Sequence, residues 1–180
     1  MSGPVPPGGP TQDEIMAISL FKMGLKSDDT VLDLGCGSGK ISIAAAGVAK
    51  KVYSVDRRTE AIEYTKKAAA ESGRKNIEFY CGEGLEFLES SPVFDCAFVG
   101  GTKGIESVLP ILARKVRRII VVNAVLVNSL AAVTATMNDL GIFREVILVQ
   151  VSRSKQLGKS MMFKPIDPVY VIVGSGAACS

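Results

Sequence analysis

A glycine-rich segment that follows a short apolar run is the part of this chain best suited to ligand chemistry. Residues 31–39 read Val-Leu-Asp-Leu-Gly-Cys-Gly-Ser-Gly, and an apolar pattern typical of a helix begins directly after them. Glycine lets a backbone approach a ligand that any Cβ would block. A helix N-terminus just beyond the turn supplies unpaired N–H groups. The pattern therefore predicts a buried strand, a tight ligand-binding turn and a helix start.

The spacing of the glycines and of one acid narrows the class of ligand. A dinucleotide fingerprint requires a third glycine three residues after the second, and Lys40 stands there. A phosphate-binding loop requires Gly-Lys-Ser/Thr, which Gly39-Lys40-Ile41 does not provide. Asp33 lies two residues before the first glycine, and its carboxylate suits a ligand that carries an ammonium group. A plain structural turn between strand and helix is the alternative interpretation.

A second acid follows the next predicted strand. Asp56 ends the apolar run at residues 51–56, about where doubly wound sheets place a carboxylate on a ribose diol. Two neutral hydroxyls donate well to one carboxylate. An acid favoured at a helix N-terminus by the helix dipole is the alternative, and the two roles are compatible.

These features resemble motif I and the acid that follows it in class I S-adenosylmethionine (AdoMet) methyltransferases. The resemblance implies that S-adenosyl-L-methionine is the co-substrate, held by Asp56 and the glycine-rich loop. That loop consists of Gly35, Cys36, Gly37, Ser38 and Gly39. In this superfamily an acidic or polar residue after the third strand faces the adenine amino group. Glu83, which follows the run at 77–81, is the candidate, and an exposed turn acid is the alternative.

Composition favours a single domain over residues 1–180. Residues 1–10 of this domain form a Pro/Gly-rich leader that we expect to be flexible. The net charge of +3 is mild and does not resemble that of a nucleic-acid binder with a basic stripe. It is compatible with an anionic small substrate. The chain has no histidine and four unclustered cysteines, so we expect no protein-bound metal. The cysteines suit a reducing cytoplasm, and the sequence predicts neither a signal peptide nor a membrane span.

The elements that position these residues alternate between strand and helix. Buried strands are predicted at 94–99 and 118–122, and apolar residues recur at helical spacing over 105–112 and 130–140. Alternation of this kind predicts an α/β fold with a parallel sheet covered on both faces. Thr11 with Glu14 three residues later predicts a capping box at the start of the first helix.

The C-terminal part departs from this alternation. A predicted strand at 142–152 is followed by a polar loop at 153–163 and a last strand at 169–173. A terminal hairpin makes the last strand antiparallel to its neighbours. This matches the doubly wound seven-stranded sheet of class I AdoMet methyltransferases.

Further segments resemble one family within that class, the cobalt-precorrin-6B C(15)-methyltransferases (decarboxylating) of the anaerobic cobalamin pathway. They are Gly-Pro-Thr at 9–11, Gly-Gly at 100–101 and Asp-Pro-Val at 167–169, and the resemblance covers nearly the whole chain. It implies that Thr11 and the backbone at Gly84 also hold AdoMet and that the protein is a homotetramer. The chain departs from the family's usual residues at 82–84, 102–104 and 115–117.

The implied reaction methylates carbon 15 of an anionic tetrapyrrole and removes carbon dioxide from its ring C acetate, in cobalamin (vitamin B12) biosynthesis. Such chemistry depends mainly on positioning and desolvation, and the sequence indicates no catalytic side chain. The acetate and propionate groups of the substrate favour spaced cations. The candidates are Lys103, Arg153, Lys155 and Lys159. An ordinary solvated loop is the alternative for the last three.

Two other functions stay open on the sequence. One is a class I methyltransferase that acts on RNA or protein, although no Asn/Asp-Pro-Pro-aromatic motif follows the fourth strand. The other is a non-catalytic AdoMet-binding subunit, against which the intact glycine-rich loop and Asp56 weigh. We expect neither a nucleic-acid nor a membrane partner.

Overall fold

The computed structural model describes residues 11–176 of the chain, in which helices and strands alternate up to residue 149. The strands are β1 (Thr30–Leu34), β2 (Lys51–Asp56), β3 (Ile77–Cys81), β4 (Phe94–Val99), β5 (Val116–Ala124), β6 (Phe143–Val149), β7 (Ser152–Leu157), β8 (Ser160–Pro165) and β9 (Val169–Ser175). The helices are α1 (Asp13–Met23), α2 (Lys40–Ala45), α3 (Thr59–Glu71), α4 (Gly84–Ser90), α5 (Ile105–Lys115) and α6 (Val127–Asp139). The leader at 1–10 and Cys179 lie outside the described residues.

Seven strands form one sheet in the order β3-β2-β1-β4-β5-β9-β6. The pairs from β3 to β5 are parallel, whereas β9 runs antiparallel to both β5 and β6. The predicted doubly wound sheet of the class I methyltransferase type, with an antiparallel last strand, is confirmed. The glycine-rich loop and the ends of β2, β3, β4 and β5 therefore share one edge of the sheet, which is where ligands bind in such folds.

Helices cover both faces of the sheet, so its central strands are buried on each side. Leu32 and Leu34 pack in one core with Leu109 of α5, whereas Val31 packs in the other core with Ile41 of α2. Side chains alternate between faces along a strand. Asp33 therefore lies on the face that α2 covers.

The predicted capping box at the start of α1 is wrong. The helix begins at Asp13 with Gln12 as its N-cap, and the Gln12 side chain makes no capping hydrogen bond. Glu14 is therefore one residue too early for the box, and Arg153 binds its carboxylate instead. At its other end, Gly24 closes α1 in the left-handed conformation at φ 55°.

The predicted polar loop at 153–163 is also wrong, because this segment forms a hairpin of β7 and β8. The two strands pair antiparallel around a turn at Gly158, separate from the main sheet. Every residue of both strands is exposed. The alternation of apolar and polar residues that reveals a strand arises when one face is buried, so the sequence lacked it here. β6 correspondingly ends at Val149 rather than at residue 152.

Candidate active site

The glycine-rich loop joins β1 to α2 with three glycines in the left-handed region. Their φ angles are 79° at Gly35, 57° at Gly37 and 73° at Gly39, and a Cβ would strain each of them. The N–H groups of Gly35 and Cys36 both donate to the Val55 carbonyl oxygen, at 2.8 and 3.0 Å. These bonds hold the loop at the end of β2, so the predicted strand, turn and helix start are confirmed.

Contact with protein backbone explains one of these glycines better than contact with a ligand does. The Gly100 N–H donates to the Leu34 carbonyl oxygen at 2.8 Å, so the turn after β4 lies against the loop. A Cβ added at Gly100 would lie 2.6 Å from the Gly35 carbonyl oxygen, and one added at Gly35 would lie 3.2 Å from the Gly101 nitrogen. The two turns therefore fit together only because both are built from glycine.

Gly39 has a different neighbour. A Cβ added there would lie 2.2 Å from Cγ2 of Thr65, so this glycine lets the start of α2 pack against α3. Around Gly37 the space is open, because the nearest atom to an added Cβ is a guanidinium nitrogen of Arg58 at 3.8 Å. Of the three glycines, Gly37 is the one whose missing side chain leaves room beside the loop.

Asp33 lies beneath the loop and is fully buried. Ser42 donates to its Oδ2 at 2.5 Å, and the Ser54 hydroxyl lies 2.8 Å from that of Ser42. Within residues 11–176, Oδ1 of Asp33 has no hydrogen-bond partner. Burial raises the pKa of Asp33 to about 7, because a charged carboxylate loses its hydration there. An ammonium contact stays a prediction, because Oδ1 is unpaired but is itself buried.

Asp56 at the end of β2 is held by four hydrogen bonds. Its Oδ2 accepts from the Gly37 N–H at 2.9 Å and from Nη2 of Arg58 at 3.0 Å. Its Oδ1 accepts from the backbone N–H and Nε of Arg58, both at 3.0 Å. Burial alone would raise the pKa of Asp56, but the bonds from Arg58 and Gly37 outweigh it and keep the pKa below its usual range. The carboxylate is therefore ionised at neutral pH.

A cleft of about 480 Å³ opens at this edge of the sheet. Five residues predicted from the sequence line it, namely Gly35, Asp56, Glu83, Gly84 and Lys103. The Gly100-Gly101 turn also lines the cleft. The Glu83 side chain is 70% exposed, and its carboxylate lies 3.9 Å from the Arg57 guanidinium. The structure thus gathers residues from the ends of four strands around one space.

The remaining loop residues are not among those that line the cleft. Cys36 is buried, and burial raises the pKa of its thiol to about 12, so it is not a nucleophile at neutral pH. Ser38 is half-buried in the turn. Thr11 is half-buried just before α1, and an ion pair of 2.7 Å between Asp13 and Lys40 joins the first turn of α1 to the start of α2.

The predicted substrate cations are divided between two places. Lys103 lines the cleft, whereas Arg153, Lys155 and Lys159 lie on the β7–β8 hairpin. The Arg153 guanidinium is not open to a ligand, because it forms an ion pair with Glu14 in the first turn of α1. Lys155 and Lys159 are exposed.

Two features of this edge escaped the sequence analysis. Arg58 forms two side-chain bonds to Asp56, and its position two residues after the acid was the available signal. The turn from β5 to α6 exposes three consecutive apolar side chains, 56% at Val125, 67% at Leu126 and 64% at Val127. A hydrogen bond of 2.8 Å between Thr102 and Ser129 joins the start of α6 to the turn that lines the cleft.

Comparison with known proteins adds independent findings. The precorrin methyltransferase domain family matches residues 7–174. A probable cobalt-precorrin-6B C(15)-methyltransferase (decarboxylating) of Methanosarcina acetivorans is 44% identical over 176 residues, 95% of this chain and 96% of that protein. The crystal structure of precorrin 8W decarboxylase from Methanobacterium thermoautotrophicum is similar with a TM-score of 0.92 and 28% identity, covering 97% of this chain and 95% of the other. Precorrin-6Y C5,15-methyltransferase from Geobacter metallireducens gives a TM-score of 0.89 at 26% identity, with coverage of 96% and 94%.

Proposed function

The chain belongs to the precorrin methyltransferase family, and from this premise we propose the reaction that it catalyses. It transfers a methyl group from S-adenosylmethionine to carbon 15 of a cobalt-precorrin tetrapyrrole and decarboxylates the ring C acetate, a step of cobalamin biosynthesis. The observation that carries this proposal is the near-complete match to a decarboxylating C(15)-methyltransferase at 44% identity. The glycine-rich loop and Asp56 at the edge of the cleft support the same conclusion.

The residues at the ends of β1, β2 and β3 fit AdoMet, which supplies an electrophilic methyl group when bound. The ligand carries an ammonium group, a ribose diol and an adenine. Asp33 lies buried beneath the glycine-rich loop, Asp56 is an ionised carboxylate at the cleft, and Glu83 also lines the cleft. The proposed contacts are Thr11, Gly35, Cys36, Gly37, Ser38, Gly39, Asp56, Glu83 and Gly84.

The ends of β4 and β5 fit the substrate, which is a large flat ring with carboxylate groups. Apolar ring surface favours apolar protein surface, and the exposed turn at Val125, Leu126 and Val127 offers it beside the cleft. Lys103 supplies a cation on the cleft lining. Arg153, Lys155 and Lys159 supply further cations from the hairpin. Arg153 does so when a substrate carboxylate replaces Glu14 as its partner.

Positioning and desolvation carry the chemistry that we propose. The chain has no histidine, and Cys36 is a buried neutral thiol, so neither an imidazole nor this cysteine acts as a base. An apolar site favours loss of carbon dioxide from a carboxylate, because the charge is poorly solvated there. We propose no catalytic side chain.

We also propose that no metal bound by the protein takes part. The sequence lacks histidine, and within residues 11–176 no group of three or more His, Cys, Asp or Glu side chains is arranged to hold a metal ion. Cobalt belongs to the substrate. A chelator should leave methyl transfer unchanged, and a loss that zinc or magnesium restores would contradict the proposal.

The β7–β8 hairpin supports the proposal that the protein is a homotetramer. The exposed fractions are 63% for Leu157, 63% for Met161, 44% for Met162 and 65% for Phe163. Large exposed apolar side chains on one small element indicate a contact surface. We infer that copies of the chain associate through this hairpin.

We propose that the protein acts in the cytoplasm. Cys36, Cys81 and Cys96 are free thiols, as expected of a reducing compartment. Within residues 11–176, no helix has both the length and the apolar character needed to cross a membrane.

A single assay separates this function from the alternatives. The purified protein is incubated with methyl-labelled AdoMet and, in parallel, with a cobalt-precorrin-6B preparation, tRNA or a protein mixture. We expect label in the tetrapyrrole, together with one carbon dioxide for each methyl group transferred. Label in RNA or protein would support another class I methyltransferase, and AdoMet binding without transfer to any acceptor would support a non-catalytic subunit.

A further inference from the structure

The side chain of Arg58 occupies the acceptor positions of Asp56 that a ribose diol needs. A carboxylate offers about four lone-pair positions on its two oxygens. In this structure the chain itself fills four, two on Oδ1 and two on Oδ2. Two of the donors are the backbone N–H groups of Gly37 and Arg58. The other two are Nε and Nη2 of the Arg58 guanidinium, each 3.0 Å from a different oxygen.

We propose that Arg58 competes with the ribose of AdoMet for Asp56, so that the guanidinium leaves the carboxylate when the ligand binds. The inference rests on the proposed role of Asp56 in AdoMet binding. The donor count matches, because the guanidinium uses one position on each oxygen and a ribose diol brings two O–H donors. The two backbone bonds remain in either state and hold the carboxylate in place.

The surroundings of the two side chains allow this exchange. The Asp56 side chain is only 4% exposed, whereas that of Arg58 is 32% exposed. Both residues line the cleft, so a displaced guanidinium moves from the Asp56 carboxylate into solvent rather than into the core. Glu60 in the first turn of α3 attracts the Arg58 charge and offers a second partner nearby.

The contact also explains how the fold tolerates a carboxylate that is almost buried. An unpaired charge with so little exposure is costly, and the guanidinium compensates it. A ligand must then displace this partner. The apparent affinity is therefore the intrinsic affinity multiplied by the fraction of molecules in which Arg58 does not bind Asp56. Arg58 thereby sets how tightly the protein holds AdoMet and its demethylated product.

The decisive measurement is the calorimetric affinity for S-adenosylhomocysteine, which lacks the positive sulfonium charge. If Arg58 binds Asp56 in about 90% of the protein molecules without ligand, Arg58→Ala should bind S-adenosylhomocysteine about tenfold more tightly than wild type. The same variant should show no gain for the 2′,3′-dideoxy analogue, which needs no acceptor on Asp56. Arg57→Ala is the matched control, because it removes an equal charge from the cleft lining that pairs with Glu83 rather than with Asp56, and it should not tighten binding.

Several outcomes would overturn the inference. Unchanged or weaker binding by Arg58→Ala, measured well below the Tm of the variant, would make Arg58 a positioning residue for Asp56 instead of a competitor. An equal gain for the dideoxy analogue or in Arg57→Ala would reduce the effect to general electrostatics. Asp56→Asn in the wild-type background tests the premise separately. Unchanged affinity there would remove Asp56 from the site, whereas weaker affinity without a gain in Arg58→Ala would remove only the competition.

Discussion

Arg153 donates two hydrogen bonds to the carboxylate of Glu14, from Nε to Oε1 at 3.1 Å and from Nη2 to Oε2 at 2.6 Å. These bonds hold the pKa of Glu14 below its usual range and join β7 to the first turn of α1. The side chains of Arg153 and Glu14 are 46% and 41% exposed, so separating them leaves no buried charge without a partner. A substrate carboxylate at this place would compete with Glu14 for the guanidinium.

The first prediction concerns this pair. Arg153→Ala should raise the tetrapyrrole KM and leave AdoMet affinity nearly unchanged, because the substrate loses a bidentate partner. Glu14→Gln should lower the same KM, since it releases Arg153 from its ion pair. Steady-state kinetics at two salt concentrations measure both effects, and salt should weaken wild type more than Arg153→Ala.

Lys164→Ala is the matched control for Arg153, because Lys164 lies opposite Arg153 on β8 and is also exposed. Lys164→Ala should change neither the tetrapyrrole KM nor the AdoMet affinity. If the affinities for AdoMet and tetrapyrrole fall together in Arg153→Ala, or if neither changes, the hairpin cations do not bind the substrate.

The second prediction concerns the contact between the two glycine turns. Gly100→Ala should lower the free energy of unfolding by about 1–3 kcal/mol and weaken AdoMet binding, because its Cβ meets the Gly35 carbonyl oxygen. Gly101→Ala is the control, since a Cβ there meets nothing within 4 Å. Denaturant unfolding and calorimetry compare the two variants. Equal stability of both would mean that the turns separate without cost.

The third prediction concerns the pH dependence of stability. Burial raises the pKa of Asp33 from 3.8 to about 7, so over this range the native protein keeps a proton that the unfolded chain releases. Asp33 therefore lowers the free energy of unfolding progressively as pH rises from about 4 to about 7, and the decrease is complete above about pH 7. Asp33→Asn stays neutral. Its free energy of unfolding minus that of wild type should grow across this window and then stay constant.

Asp95 provides the control for this experiment. Burial would raise the pKa of Asp95, but hydrogen bonds from the Thr30 N–H and from Arg117 hold it below the usual range. Asp95→Asn should therefore give a difference that does not vary between about pH 5 and about pH 8. Chemical unfolding across the pH series measures both differences, and a flat difference for Asp33→Asn would show that Asp33 is ionised in the native protein.

The fourth prediction concerns the hairpin surface. Phe163→Lys should reduce the molar mass in solution from that of a tetramer, because it places a charge on the proposed contact surface. Phe21→Lys is the control, since Phe21 is 80% exposed and belongs to α1 rather than to the hairpin. Light scattering after size exclusion gives the masses. A tetramer that survives Phe163→Lys and is lost in Phe21→Lys would place the interface elsewhere.

Local sequence was sufficient for the strand, turn and helix around the glycine-rich loop. The strands β2, β3 and β4 occupy 51–56, 77–81 and 94–99, as the sequence predicted. Glycines with positive φ and continuous apolar runs are local signals, because the backbone conformation of a residue and the burial of its neighbours decide them. The order of these elements then leads to the doubly wound sheet.

Tertiary structure alone decided which groups meet at the edge of the sheet. Arg153 and Glu14 are 139 residues apart, and Gly100 reaches Gly35 only because β4 pairs beside β1. The sequence placed Asp56 at the cleft but did not reveal that Arg58 fills its acceptor positions. A polar side chain takes its partners from whatever packing brings within about 3 Å, and spacing along the chain does not contain that information.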